Sequence, residues 1–248
     1  MDKLIILIIV SLLIIIGTLI ALLLNIKLKK YQPIYMGFAV GVMIYTSLVI
    51  LLQDASENIN YYVDHNIIKL IVIALFISIG VICGVILDNV SHKILKHFNN
   101  THSLILVILI SISLSLHNFI EGGSLMILDD KKDFISYAIA IAIHNLPFGL
   151  ALGIFGYKAF NNKLKTSVLA LVVTSFSLIG GIVGLHISSI ISNDMINGLC
   201  LTFASGLLLY TSFDEILPEV SINKDNHLIV YGVCCGVILM YFLSQVIR

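Results

Sequence analysis

Histidines at positions 117 and 144, each followed by asparagine, stand inside segments apolar enough to cross a membrane. The two stretches are HNFIEG, His117 to Gly122, and HNLPFG, His144 to Gly149. A bilayer tolerates such groups only where protein buries and satisfies them, which marks them as a candidate functional site. His117 and Glu121 are four residues apart and project from one helical face, with Ser113 one turn earlier on the same stripe. Imidazole nitrogen and carboxylate oxygen are ordinary ligands of Zn²⁺, Mn²⁺ or Fe²⁺, and the amides of Asn118 and Asn145 are weaker ones. An ionised Glu121 at membrane depth needs a cation or partner charge to offset it. Pro147 strengthens the pattern, because its ring and missing N–H push the carbonyl of Ile143 out of the helical ladder beside His144. The plainer alternatives are a buried histidine hydrogen-bonded to a neighbouring helix and asparagines that tie helices together.

The elements that must position these groups are membrane helices. The chain is 59% apolar and 11% charged, with a mean hydropathy of +1.07, far from a soluble globular domain. On the ruler of roughly 20 apolar residues per crossing, it divides into eight predicted spans: 4–24, 34–52, 67–87, 104–128, 134–157, 166–191, 196–217 and 228–247. Joined by short loops, they form a single polytopic all-α membrane domain. The first run is too long for a signal-peptide core and is expected to be retained. At about 1.5 Å per residue, His117 and His144 lie roughly 15 Å from the ends of spans 4 and 5, near the bilayer midplane. The short connection makes those spans antiparallel neighbours, so the two His-Asn pairs can face one another.

Formal net charge is zero and no long basic run occurs, so nothing points to a nucleic-acid partner. Charge position is more informative. Nine of the 14 lysines and arginines fall in odd-numbered loops, among them Lys27, Lys93, Lys158 and Lys224; this places those loops in the cytoplasm and both termini outside the cell membrane. Span 2 contains FAVGVMIYTSLVILL from Phe38 and span 7 contains FASGLLLYTSFDEIL from Phe203. In an eight-span chain these run in opposite directions, as in an inverted repeat of spans 1–3 and 6–8 around spans 4 and 5. GxxxG spacings at Gly37/Gly41, Gly80/Gly84, Gly149/Gly153, Gly180/Gly184 and Gly232/Gly236 predict close helix packing and leave room for a homodimer face without indicating one. The four cysteines occur in apolar stretches with no CxxC pair and read as small buried hydrophobes.

Further polar residues suggest a path. His92, His97 and His102 follow span 3, Asp88 ends it, and Asp214, Glu215 and Glu219 cluster at the corresponding end of span 7. They suit an exit for metal, or equally a polar loop and charged helix ends. On the opposite side Asp54, Glu57, Asp64, His65 and His186 suit a cation entrance.

Here the chain resembles the ZIP (Zrt/Irt-like) transporters of divalent metals. Their fourth and fifth spans carry HNxPEG-type motifs, matched by His117, Asn118, Glu121 and Gly122 and by His144, Asn145, Pro147 and Gly149. The eight spans, the similar spans 2 and 7 and the YTSFDEILPE segment from Tyr210 extend the resemblance over most of the chain. It implies uptake of zinc, iron or manganese as substrate, with no organic cofactor. It also implies a metal centre between spans 4 and 5 and an elevator-like movement of one bundle against another. The departures are specific. Phe148 stands where span 5 of the family has glutamate, Ile120 where span 4 has proline, Leu178 and Ile179 where span 6 has Glu-Pro, and Ile50 where span 2 would match Glu215. One carboxylate cannot neutralise two divalent ions in a low-dielectric site, so at most one metal is expected, held by His117, Glu121 and His144, with Asn118, Asn145, Ser113 or water completing the shell. Such a centre can still conduct, since transport needs release as well as binding. The alternative is a non-transporting scaffold or metal sensor. A bis-histidine haem site would be crowded by Glu121 and Phe148, and the HExxH order of a metalloprotease is absent, so no enzyme is expected.

Overall fold

The structure is a computed structural model and describes residues 2–27, 32–63, 65–95, 101–128, 130–187, 194–218 and 226–247. Every regular element among them is helical, and eight helices are long and apolar enough to cross a membrane. They are α1 (Asp2–Lys27), α2 (Gln32–Tyr45, a π-helical turn over Thr46–Leu51, then Leu52–Asn60), α3 (Asn66–Leu95), α4 (Thr101–Ile127), α5 (Lys131–Phe160), α6 (Lys163–Ile187), α7 (Asp194–Tyr210 running into a π-helical turn over Thr211–Ile216) and α8 (Asn226–Ile247). Helix α2 continues past Leu52 to Asn60 because its last turns are amphipathic: Ala55 and Ile59 stay buried while the other side turns polar, which hydropathy alone reads as the end of a span.

The connections are built from local hydrogen bonds. Asp130 caps α5 by accepting the backbone N–H groups of Lys132 and Asp133 at 2.8 and 3.1 Å. Asn161 closes the same helix in the left-handed region, φ 47°, donating its N–H to the carbonyl of Tyr157, and the Asn162 side chain then accepts the N–H of Lys165 to start α6. Lys3 donates to the carbonyl of Leu128 and lies 5.7 Å above the Phe134 ring, which seats the start of α1 beside the α4–α5 connection.

Four helix pairs pack most extensively: α1 with α5, α4 with α6, α2 with α8 and α3 with α7. The glycine spacings all lie in these seams. At Gly149 a Cβ would run into the backbone of Ile14, and at Gly180 into that of Phe119, so these backbones approach as only glycine allows. Helices α2, α4, α5 and α7 are the more buried set, and α1, α3, α6 and α8 surround them. The peripheral helices turn Ile9, Leu23, Ile71, Leu171 and Phe242 outward, the apolar surface that a bilayer covers. Cys234 and Cys235 belong to this outward surface of α8 rather than to the interior, whereas Cys83 and Cys200 are half-buried, and all four are free thiols.

Candidate metal centre

Helices α4 and α5 bring three side chains able to ligate a metal to one point. The i,i+4 spacing stacks His117 and Glu121 on one face of α4, and the antiparallel α5 presents His144 to the same face. Oε2 of Glu121 lies 3.2 Å from Nε2 of His117 and 3.0 Å from Nε2 of His144. The ligating atoms all lie within 4.8 Å of one another, and every member of the triad is at most 2% exposed. One carboxylate oxygen therefore faces two imidazole nitrogens in a water-poor interior. The surrounding polar atoms are poorly served: Nδ1 of both histidines and Oδ1 of Asn145 are buried without a hydrogen-bond partner, and Nε2 of His117 has only the Glu121 carboxylate beside it. Each unpaired buried atom costs about 1–3 kcal/mol, and of these Oδ1 of Asn145 is an oxygen that a cation could relieve.

The asparagines reach outward to neighbouring helices. Asn118 donates to the carbonyl of Val173 on α6 at 3.4 Å, and Asn145 to that of Val10 on α1 at 3.0 Å. Ser113, one turn from His117, accepts from the hydroxyl of Thr211 at 2.9 Å, in the π-helical turn of α7. Phe148, one turn beyond His144, is fully buried, and its ring centroid lies 5.4 Å from that of His117 and 5.2 Å from that of His144. Of the three positions expected to have lost a carboxylate, Phe148 is the one in ring contact with the triad. Leu178 packs instead with Leu7, Val10 and Leu125, and Ile50 lines a cavity nearer the surface.

That cavity, about 650 Å³, opens on the face that carries both termini. Asp54, Glu57, Asp133 and Asp194 line it, together with Tyr137 and Asn197. Ser124, hydrogen-bonded to Asn197, lies in its wall one turn from Glu121, and Ile143 beside His144 lines it too. On the opposite side of the triad Leu114, Ile110, Leu152 and Phe155 are packed solid. Of the entrance residues expected from sequence, Asp54 and Glu57 line the cavity; His65 and His186 do not, and Asp64 lies outside the described residues. Sequence reading missed Asp133 and Asp194. Both sit in the first turn of a helix, where an acid complements the helix dipole and signals no more than a helix start. At the other end His92 meets Asp88 at 3.3 Å, and Asp88 is within electrostatic reach of Glu215, beside Asp214 on the π-helical turn. His97 and Glu219 lie outside the described residues, as does the side chain of His102.

The profile of the family described as ZIP zinc transporters matches residues 96–244, which include both His-Asn pairs. The chain belongs to the ZIP family of zinc transporters. The zinc transporter ZupT of Streptococcus mutans is 27% identical over 241 residues, covering 91% of this chain and 89% of its own length. ZupT of Clostridium perfringens is 26% identical over 245 residues, with 86% and 84% covered, and ZupT of Oceanobacillus iheyensis 26% over 255 residues, with 91% and 90% covered. As a ZIP protein with eight membrane-spanning helices, the chain is an integral membrane transporter of divalent metal, not an enzyme.

Proposed function

We propose that this protein moves divalent metal, zinc first and iron or manganese as the alternatives, into the cytoplasm one ion at a time through His117, Glu121 and His144. The observation that carries the reading is the convergence of both Nε2 atoms on one oxygen of a single buried carboxylate. One carboxylate and two neutral imidazoles hold one divalent ion with a net charge of plus one; a second ion would leave plus three in a low-dielectric interior. Water or Oδ1 of Asn145 completes the shell, while Asn118 holds α4 to α6.

The acidic cavity collects the hydrated ion, the triad strips it, and Ser113, then Asp88, His92, Asp214 and Glu215, receive it on the far side. The lysine distribution supports termini outside, and in that orientation the acidic cavity faces outward. An inverted repeat is supported by two features. Exchanging α1 with α6, α2 with α7, α3 with α8 and α4 with α5 turns the set of four packed helix pairs into itself. The π-helical turns of α2 and α7 also both begin at the threonine of their shared Tyr-Thr-Ser sequence. Movement of one bundle past the other exposes the triad to each side in turn.

The test is uptake of radiolabelled Zn²⁺, Mn²⁺ and Fe²⁺ into proteoliposomes by wild type and by His117→Ala, Glu121→Ala and His144→Ala. Wild type takes up metal and all three variants fall to background. Unchanged uptake in the variants would sink the proposed site, and metal binding without uptake of any ion by wild type would make the protein a sensor or scaffold instead.

A further inference from the structure

The geometry points to Phe148 as the residue that sets the coordination number of the transported ion, and through it the metal preference. This rests on the triad reading above. Two histidines and one carboxylate are an ambiguous ligand set. With three open positions they suit six-coordinate Fe(II), and with one open position they suit four-coordinate zinc. The ligands alone do not choose; the space beside them does.

That space is filled on one side by a side chain that cannot ligate. The centroids of His117, His144 and Phe148 form a nearly equilateral triangle, with separations of 5.6, 5.4 and 5.2 Å. Phe148 meets the His117 ring edge-on at 72° and the His144 ring at a tilt of 45°, and is itself 0% exposed. A ring in contact with both ligating imidazoles takes up volume that two or three metal-bound waters would need. It offers no oxygen in exchange, and it belongs to the packed cluster on the closed side of the centre, with Leu152 and Phe155, so it has little room to yield. An ion seated on the triad keeps room for about one further ligand. Zn²⁺ and Co²⁺ accept four-coordination readily. Mn²⁺ takes oxygen-rich, octahedral surroundings and is disfavoured relative to zinc by exclusion of its waters rather than by any repulsive charge.

The experiment loads purified wild type, Phe148→Ala and Phe148→Leu with Co²⁺ alone, reading bound metal by equilibrium dialysis and geometry by visible absorption. A competition of Mn²⁺ against Zn²⁺ follows on the same samples. Four-coordinate Co²⁺ absorbs intensely in the visible and six-coordinate Co²⁺ faintly. The wild type shows the intense band, Phe148→Leu keeps it because the apolar bulk remains, and Phe148→Ala replaces it with the faint one. The preference for zinc over manganese falls at least about tenfold in Phe148→Ala, the scale on which pocket shape discriminates. A faint band in wild type overturns the proposal, as does an intense band that survives in Phe148→Ala with unchanged metal preference. If Phe148→Ala does not fold, Phe148→Ser is read in its place, with the same expected loss of the intense band, and a faint wild-type band overturns the proposal on its own. Failure of wild type to bind Co²⁺ at all is a different result: it removes the metal centre itself, and Phe148's role falls with it.

Discussion

Glu121 is the residue on which the centre turns, because it supplies the only negative charge among the three side chains that meet there. Glu121→Gln keeps the shape and removes the charge. In wild type, Zn²⁺ at about 100 times its dissociation constant stabilises the folded protein by about 2.7 kcal/mol; the Gln variant is expected to show no such gain in a metal-dependent thermal unfolding assay. Phe148→Glu restores a second carboxylate against both imidazoles, and bound zinc measured by dialysis is expected to rise from one ion per chain toward two. That Glu121 and both histidines would meet was legible in sequence, since an i,i+4 pair and a short connection between antiparallel spans leave little geometric freedom. The contact of Phe148 with both rings was less so. A phenylalanine in an apolar span looks like core, and here it is core that also walls the candidate metal site.

Among the elements, the seams between paired helices carry the precision. Asn118 ties α4 to α6 and Asn145 ties α5 to α1, so each His-Asn pair uses its histidine at the centre and its asparagine to fix the helix that holds it. Asn118→Ala is expected to lower stability by about 0.6 to 1.7 kcal/mol, the range for such bonds between membrane helices, with zinc stoichiometry unchanged by dialysis. Gly180→Val drives a side chain into the Phe119 backbone. It is expected to cost about 1–3 kcal/mol, read as a lower unfolding temperature in detergent, and to loosen zinc binding because α4 carries His117 and Glu121. The glycine spacings announced these seams in advance. The π-helical turns of α2 and α7 did not, because TSLVIL and TSFDEI hold neither glycine nor proline and read as uninterrupted helix.

At the scale of the whole molecule, the eight spans follow from hydropathy alone, but the asymmetry between the two sides of the triad does not. The cavity is a gap among five helices, and its acids come from α2, α5 and α7, which no local pattern groups together. If those acids concentrate cations, the double variant Asp133→Asn, Asp194→Asn lowers the initial rate of zinc uptake severalfold at low ionic strength. The difference shrinks as salt rises and the Debye length falls from about 10 Å at 0.1 M to about 3 Å at 1 M; a salt-independent loss would mean that the two acids act some other way. Cavity on one side and packed core on the other make this an arrangement open toward the termini, with the candidate metal centre one helical turn below the cavity floor. X-ray absorption at the zinc edge of protein loaded with one equivalent shows whether one ion sits on His117, Glu121 and His144. The expected spectrum has two imidazoles, low-Z oxygen neighbours and no metal–metal scattering, and it changes in His144→Ala. A zinc–zinc vector, sulfur ligation, or a spectrum indifferent to that substitution would contradict the account.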